Sequence, residues 1–226
     1  MTVTANDDGP LVDLREQILT AALAHVAFDG WSLKALEVAA ESLGLPKTDA
    51  KRAFPGGPAE AVVLHAALAD KDMVARFKAL DPPPARTRDK VATLIRLRLE
   101  GAASDREAVR LGLGLLARPQ HAPRGLKSLA RTADAIWRAA GDRSADFNWY
   151  TKRGLVSAVY MSTTIYWLND RSEGAADTWT FLDRRLNDAM KLPMRAKNVF
   201  EKLTMALPRP GKIASQVRRR RAARGW

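Results

Sequence analysis

The sequence predicts an all-α fold, a helical bundle in which a small three-helix unit precedes a larger helical domain. Three observations lead there. Alternating apolar and polar runs of strand type do not appear, whereas apolar residues recur at three- and four-residue intervals from Leu11 to Leu207. The interruptions are strong turn signals: Asp29-Gly30, Gly44, Pro55-Gly56-Gly57-Pro58 and Asp81-Pro82-Pro83-Pro84. Finally, Gly154 to Leu168 runs fifteen residues without a charge on any face, which predicts a central, buried helix.

Each element follows from its own signals. A first helix from about Leu11 to Phe28 carries Leu14, Ile18, Ala21, Ala22, His25 and Val26 on one stripe. Ser32 is placed to cap a second, short helix that Gly44 ends, and Pro46 fits the first turn of a third, to about Phe54. A longer helix follows over about Ala59 to Leu80. Beyond the stiff proline connector, helices are expected at about Thr87 to Ala102, Ser104 to Ala117 and Pro123 to Ala140. After the uncharged helix, Trp179, Leu182, Leu186, Ala189 and Met190 share one face of a last body helix, Ala176 to Leu192. The implied organisation is an N-terminal unit over 11–58, a helical domain over 59–192 and a tail over 193–226.

At 226 residues, 46% apolar and 27% charged, the chain is long enough for a sizeable core. Its net charge of +12 is concentrated: Lys191 to Trp226 carries +10, and the body is near neutral. Within the tail, Ala196, Val199, Phe200, Leu203, Ala206 and Leu207 form an apolar stripe opposite Lys197, Asn198, Glu201 and Lys202. Lys212 and Arg218-Arg219-Arg220-Arg221 follow. An amphipathic helix trailed by cations suits an anionic membrane surface, with Val199, Phe200, Leu203, Leu207, Lys212, Arg218, Arg219, Arg220 and Arg221 as contacts. Met1 to Pro10 lacks the basic and apolar parts of a secretion signal, and no apolar run is long enough to span a bilayer. The expectation is a cytoplasmic protein held peripherally at an inner membrane.

Little supports catalysis. Cysteine is absent, which removes disulfides, thiolate chemistry and cysteine zinc sites. His25, His65 and His121 are far apart and lack the Glu-x-x-His spacing of helical metal sites. Gly112-x-Gly114-x-x-Ala117 imitates a dinucleotide fingerprint but has no preceding strand, so helix packing is the reading. Neither a nucleophile elbow nor a phosphate loop occurs. No cofactor, metal or catalytic residue is expected.

Ile18, Ala21-Ala22, Gly30, Ala39-Ala40, Gly44 and Phe54 follow the pattern of the helix-turn-helix unit of the TetR family, which the N-terminal unit resembles. Trp31 to Pro58 carries a net charge of only +1, a sparse footprint for DNA. A DNA-binding regulator with a hydrophobic ligand pocket is therefore the alternative function. A second resemblance covers about Leu14 to Ala196. It rests on Trp31-Ser32, Phe54-Pro55-Gly56-Gly57, Leu68-Ala69-Asp70 with Met73, Ile136-Trp137, Ala140-Gly141-Asp142 and, above all, Asp146-Phe147-Asn148-Trp149-Tyr150-Thr151-Lys152-Arg153. These look like the Coq-nine family.

That resemblance implies a TetR-like homodimer without enzymatic activity, an accessory protein of ubiquinone biosynthesis. Such a protein binds an isoprenoid lipid or quinone precursor and presents it to the hydroxylase acting on demethoxyubiquinone. It also implies that the hydroxylase docks around Trp149 and Tyr150, with Ile136 as a neighbour on the preceding helix. Asp146 and Arg153 join that surface by proximity. Adjacent residues differ by about 100° around a helix, so the two rings cannot share one buried face.

Overall fold

The computed structural model describes residues 8–142 and 148–191, with side chains over 11–142 and 152–189. Helices follow in order: α1 (Asp8–Asp29), α2 (Leu33–Ser42), α3 (Lys47–Ala53), α4 (Pro58–Lys78), α5 (Thr87–Glu100), α6 (Arg106–Leu116), α7 (Ala122–Ala139), α8 (Asn148–Asn169) and α9 (Ala176–Lys191), the last preceded by a 3₁₀ turn, Glu173–Ala175. No strand occurs among the described residues.

Boundaries fall where the local chemistry requires them. The Ser32 hydroxyl accepts the Ala35 amide at 3.1 Å and so satisfies an otherwise free donor of α2. At the other end of α2, Gly44 takes a φ of +74°, while the Leu45 amide returns to the Ala40 carbonyl and the Gly44 amide to that of Glu41, both at 2.9 Å. This reversal closes the helix with its last carbonyls paired. Before α4, Glu60 reaches back to the Gly56 amide at 2.7 Å and also accepts Arg15 at 2.7 Å, tying the first turn of α4 to α1.

Two clusters of buried side chains form the interior. Ile18, Val26, Leu36, Phe54 and their neighbours hold α1 to α3 against Val62 of α4 and Ala108 and Leu116 of α6. Met73 and Phe77 of α4, Leu94, Ile95 and Leu99 of α5, and Ile136 of α7 build the other cluster with α8 and α9. Helix α4 contributes to both, its first turns to one and its last to the other.

Helix α8 departs from the predicted central helix buried on all sides. Val156, Val159, Thr163, Thr164, Trp167 and Leu168 are buried, but Gly154 and Ile165 lie at the surface, and Ile165 is 53% exposed. The lack of charge on α8 thus reports an apolar outer face rather than complete burial. Its C-terminal carbonyls are gathered by α6: Arg106 donates to those of Trp167 and Asp170, and Arg110 to that of Leu168. Asp170 then starts the next element, accepting the amide and hydroxyl of Ser172 (2.8 and 2.7 Å) and of Thr178 (2.8 and 2.5 Å). Desolvation raises the pKa of this carboxyl, but those bonds outweigh it and hold the group well below the ordinary carboxylate range.

Candidate functional site: an apolar cavity with a charged inner wall

A cavity of about 400 Å³ lies among α4, α5, α6, α7 and α8, within the size range of small-molecule pockets. Val62, Ala108, Val109, Leu113, Leu116, Leu129, Met161 and Ile165 make its walls largely apolar. Gly112 gives it room: a Cβ there would stand 2.9 Å from Val62 Cγ1 and 3.3 Å from Trp31 Nε1. The Trp31 indole is itself fixed by donating to the Ala108 carbonyl at 2.8 Å. Gly112 therefore serves helix packing, as the sequence predicts, and the neighbouring Gly114 has no such contact within 4 Å.

Polar residues join the lining at His65, Arg98, Ser128, Thr132, Tyr160 and Thr164. Arg98, Ser128 and Thr132 belong to one network centred on buried Asp70. Its carboxylate accepts Arg98 Nε at 3.0 Å, the Thr132 hydroxyl at 3.0 Å and Arg131 Nε at 3.3 Å. Arg131 also donates to the Ser128 hydroxyl at 3.0 Å. Burial works against the charge on Arg98, yet the nearby Tyr160 and Asp70 raise its pKa above the ordinary value. The guanidinium remains charged. Burial also lowers the pKa of His65, and hydrogen bonding to Asp105 at 3.4 Å only partly opposes this. A neutral imidazole at neutral pH follows.

The residues expected at the docking surface divide. Ile136 is fully buried in the core cluster that includes residues of α5, α8 and α9. Arg153, only 8% exposed, forks onto Asp134 at 2.7 Å and reaches Asp142 at 3.7 Å. These pairs clamp α8 to the end of α7 and leave little of the Arg153 side chain at the surface. Lys152 adds an ion pair to Asp142 at 3.0 Å, and its carbonyl accepts the Trp137 indole at 2.8 Å. Trp149 and Tyr150 fall in the first turn of α8, with side chains outside the described ones, and Asp146 lies outside the described residues. Val199, Phe200, Leu203, Leu207, Lys212 and Arg218 to Arg221 lie outside them too.

Cations on α3 that would face DNA in a helix-turn-helix are already engaged. Lys47 pairs with Glu41, Lys51 with Glu37 and Arg52 with Asp49, at 3.0 to 3.5 Å. Among the described residues no group of His, Cys, Asp and Glu is arranged to hold a metal ion.

A three-helix unit seated on a larger helical domain that encloses an apolar cavity is the TetR-like architecture. The crystal structure of the TetR transcriptional regulator from Nitrosomonas europaea superposes with a TM-score of 0.64, covering 80% of this chain and 99% of that one at 20% identity. At that identity the agreement concerns the fold. Residues 122–193 match the model of the COQ9 family. The mitochondrial ubiquinone biosynthesis protein COQ9 of Homo sapiens is 33% identical over 198 residues, 82% of this chain and 60% of its own length. Its counterpart from Drosophila melanogaster is 35% identical over 191 residues, 80% of this chain and 56% of its own. The chain belongs to the COQ9 family, and it spans about three-fifths of the length of these relatives.

Proposed function

We propose that this chain is a non-enzymatic, lipid-binding accessory protein of ubiquinone biosynthesis that presents a polyprenyl quinone precursor to the demethoxyubiquinone hydroxylase. The apolar cavity among α4 to α8 carries the reading. A polyprenyl molecule is nearly insoluble in water, and enclosing its apolar surface lowers the cost of moving it to a partner. Family membership supplies the pathway, since the relatives are named for ubiquinone biosynthesis.

In this reading the three parts act together. The cavity shelters the lipid, the first turn of α8 receives the hydroxylase through Trp149 and Tyr150, and the tail beyond 192 rests on an anionic inner-membrane surface. No helix among the described residues is long and apolar enough to cross a membrane. The uncharged outer face of α8, with Ala158, Ser162 and Tyr166, supports a homodimer through that helix. The DNA-binding alternative takes second place because Trp31 to Pro58 carries a net charge of only +1, a sparse footprint for DNA.

Equilibrium dialysis of the full chain against a short-chain ubiquinone analogue tests the carrier role. Saturable binding that disappears in Leu113→Trp, which fills the cavity, is the expected result. Binding unaffected by that substitution would remove the cavity from the mechanism.

A further inference from the structure

We propose that the inner wall of the cavity is a head-group site, in which Arg98 and Tyr160 receive an acidic oxygen of a ligand whose single apolar chain runs outward past Leu126 and Ile165. The proposal rests on the lipid-binding reading and adds the orientation and chemical class of the ligand.

Arg98 is only 5% exposed, yet it lines the cavity. Asp70 fixes its Nε at 3.0 Å and the Ala66 carbonyl takes Nη2 at 3.4 Å, leaving Nη1 without a hydrogen-bond partner among the described residues. Tyr160 lines the same cavity and is only 9% exposed. Tyr160 lies close enough to influence the charge of Arg98. A guanidinium held rigidly by one carboxylate, with donors left over in an apolar cavity, is prepared for an oxygen anion. Asp70 does not cancel this cation alone, because it is shared with Arg131.

The other end of the cavity has the opposite character. Leu126 and Ile165 line it and are 68% and 53% exposed, so they mark where it opens. Arg98 is the one permanently charged residue in the lining. A ligand with its head at the opening would leave the Arg98 donors facing a hydrocarbon chain, at the cost of an unsatisfied buried polar group. With its head inward, the ligand satisfies both ends. The cavity volume suits one chain or a small ring with a short chain rather than a two-chain lipid. The shared chemistry is therefore a carboxylate or acidic phenol on a single apolar chain, from a fatty acid or a prenylated aromatic acid.

The test uses the full chain with cis-parinaric acid and its methyl ester as fluorescent probes. Wild type should bind the acid about tenfold or more tightly than the ester, the ratio expected of a charge-assisted hydrogen bond in a desolvated site. Arg98→Met should abolish that preference and leave ester binding intact. Tyr160→Phe, which keeps the packing of the ring and the Arg98–Asp70 pair, should reduce it several-fold. Displacement of the acid by a geranylated hydroxybenzoate and not by palmitate assigns the head to an aromatic acid; the converse assigns it to a fatty acid. Equal binding of acid and ester, or an acid preference that survives both substitutions, overturns the head-inward site while leaving a lipid cavity in place. Failure of both probes to bind folded wild type overturns the cavity reading and this proposal together.

Discussion

Gly112 and Gly114 provide a matched pair of substitutions on one helix, and their contrast measures how tightly α6 is pressed into the cavity wall. Replacing either with alanine improves helix propensity by about 0.8–1 kcal/mol and restricts the unfolded chain to a similar extent. At Gly114 nothing lies within 4 Å of the added methyl, so the substitution should stabilise by most of that amount. At Gly112 the methyl arrives 2.9 Å from Val62 Cγ1. Val62 is β-branched and 5% exposed, with little freedom to turn away. The other close atom, Trp31 Nε1 at 3.3 Å, is committed to the Ala108 carbonyl. Overpacking of this kind costs about 1–3 kcal/mol. Net destabilisation of about 0–2 kcal/mol is expected for Gly112→Ala, and a difference of about 1–3 kcal/mol between the two variants. Urea unfolding followed by the helical circular dichroism signal reads this directly. Equal stability of the two variants would refute the close approach of α4, α6 and Trp31, and with it the shape assigned to the cavity.

Other consequences can be measured the same way. Asp70→Ala leaves Arg98 buried without its carboxylate and should cost about 3–5 kcal/mol in urea unfolding, whereas an effect below about 1 kcal/mol would contradict the buried network. His65 has a folded pKa below its unfolded value near 6.5, so the unfolded state binds more protons once the pH falls below that value. Stability should decline with acidification there, and His65→Gln should flatten the decline; identical pH profiles would remove His65 as its source. Asp170 shows the carboxylate pattern: its contribution is fully present above pH 3.8 and is lost as pH falls towards its depressed folded pKa. Asp170→Asn should cost about 1 kcal/mol at neutral pH through the weakened start of α9 and much less in strong acid, as followed by thermal unfolding. Trp149→Ala should reduce capture of purified hydroxylase with the helical signal unchanged, and cutting the chain after Pro193 should weaken flotation with anionic vesicles. Unaltered capture or flotation would remove that surface or the tail from the model.

Much of the fold was legible because its boundaries are written in local chemistry. Ser32, Gly44, Pro58 and the proline run after Asp81 place the ends of helices within a few residues of where they occur. The uncharged stretch of α8 was read correctly as a helix and too strongly as a buried one, since absence of charge does not distinguish a core from an apolar surface. Two residues expected at the docking surface show the same limit: Ile136 on the preceding helix and Arg153 three residues after Tyr150 are both turned inward by packing, which the sequence does not display.

The cavity's polar wall went unread, although the sequence contains a signal for it. Asp70 falls on the same stripe of α4 as Met73 and Phe77, and Arg98 on the same stripe of α5 as Leu94, Ile95 and Leu99. Opposite charges on the core-facing stripes of consecutive helices point to a buried pair. That pairing cannot be separated from two solvated charges until the relative rotation of the helices is known. His65 was read as an isolated histidine for a similar reason, because its partner Asp105 comes from another helix boundary forty residues away.

The central claim is that the cavity carries an isoprenoid or quinone molecule. Mass spectrometry of an organic extract from the purified full chain, beside an identically prepared Leu113→Trp variant, tests it most directly. The account predicts an isoprenoid or quinone enriched with the wild type and depleted with the variant. No enriched lipid, or equal amounts from both proteins, would contradict it.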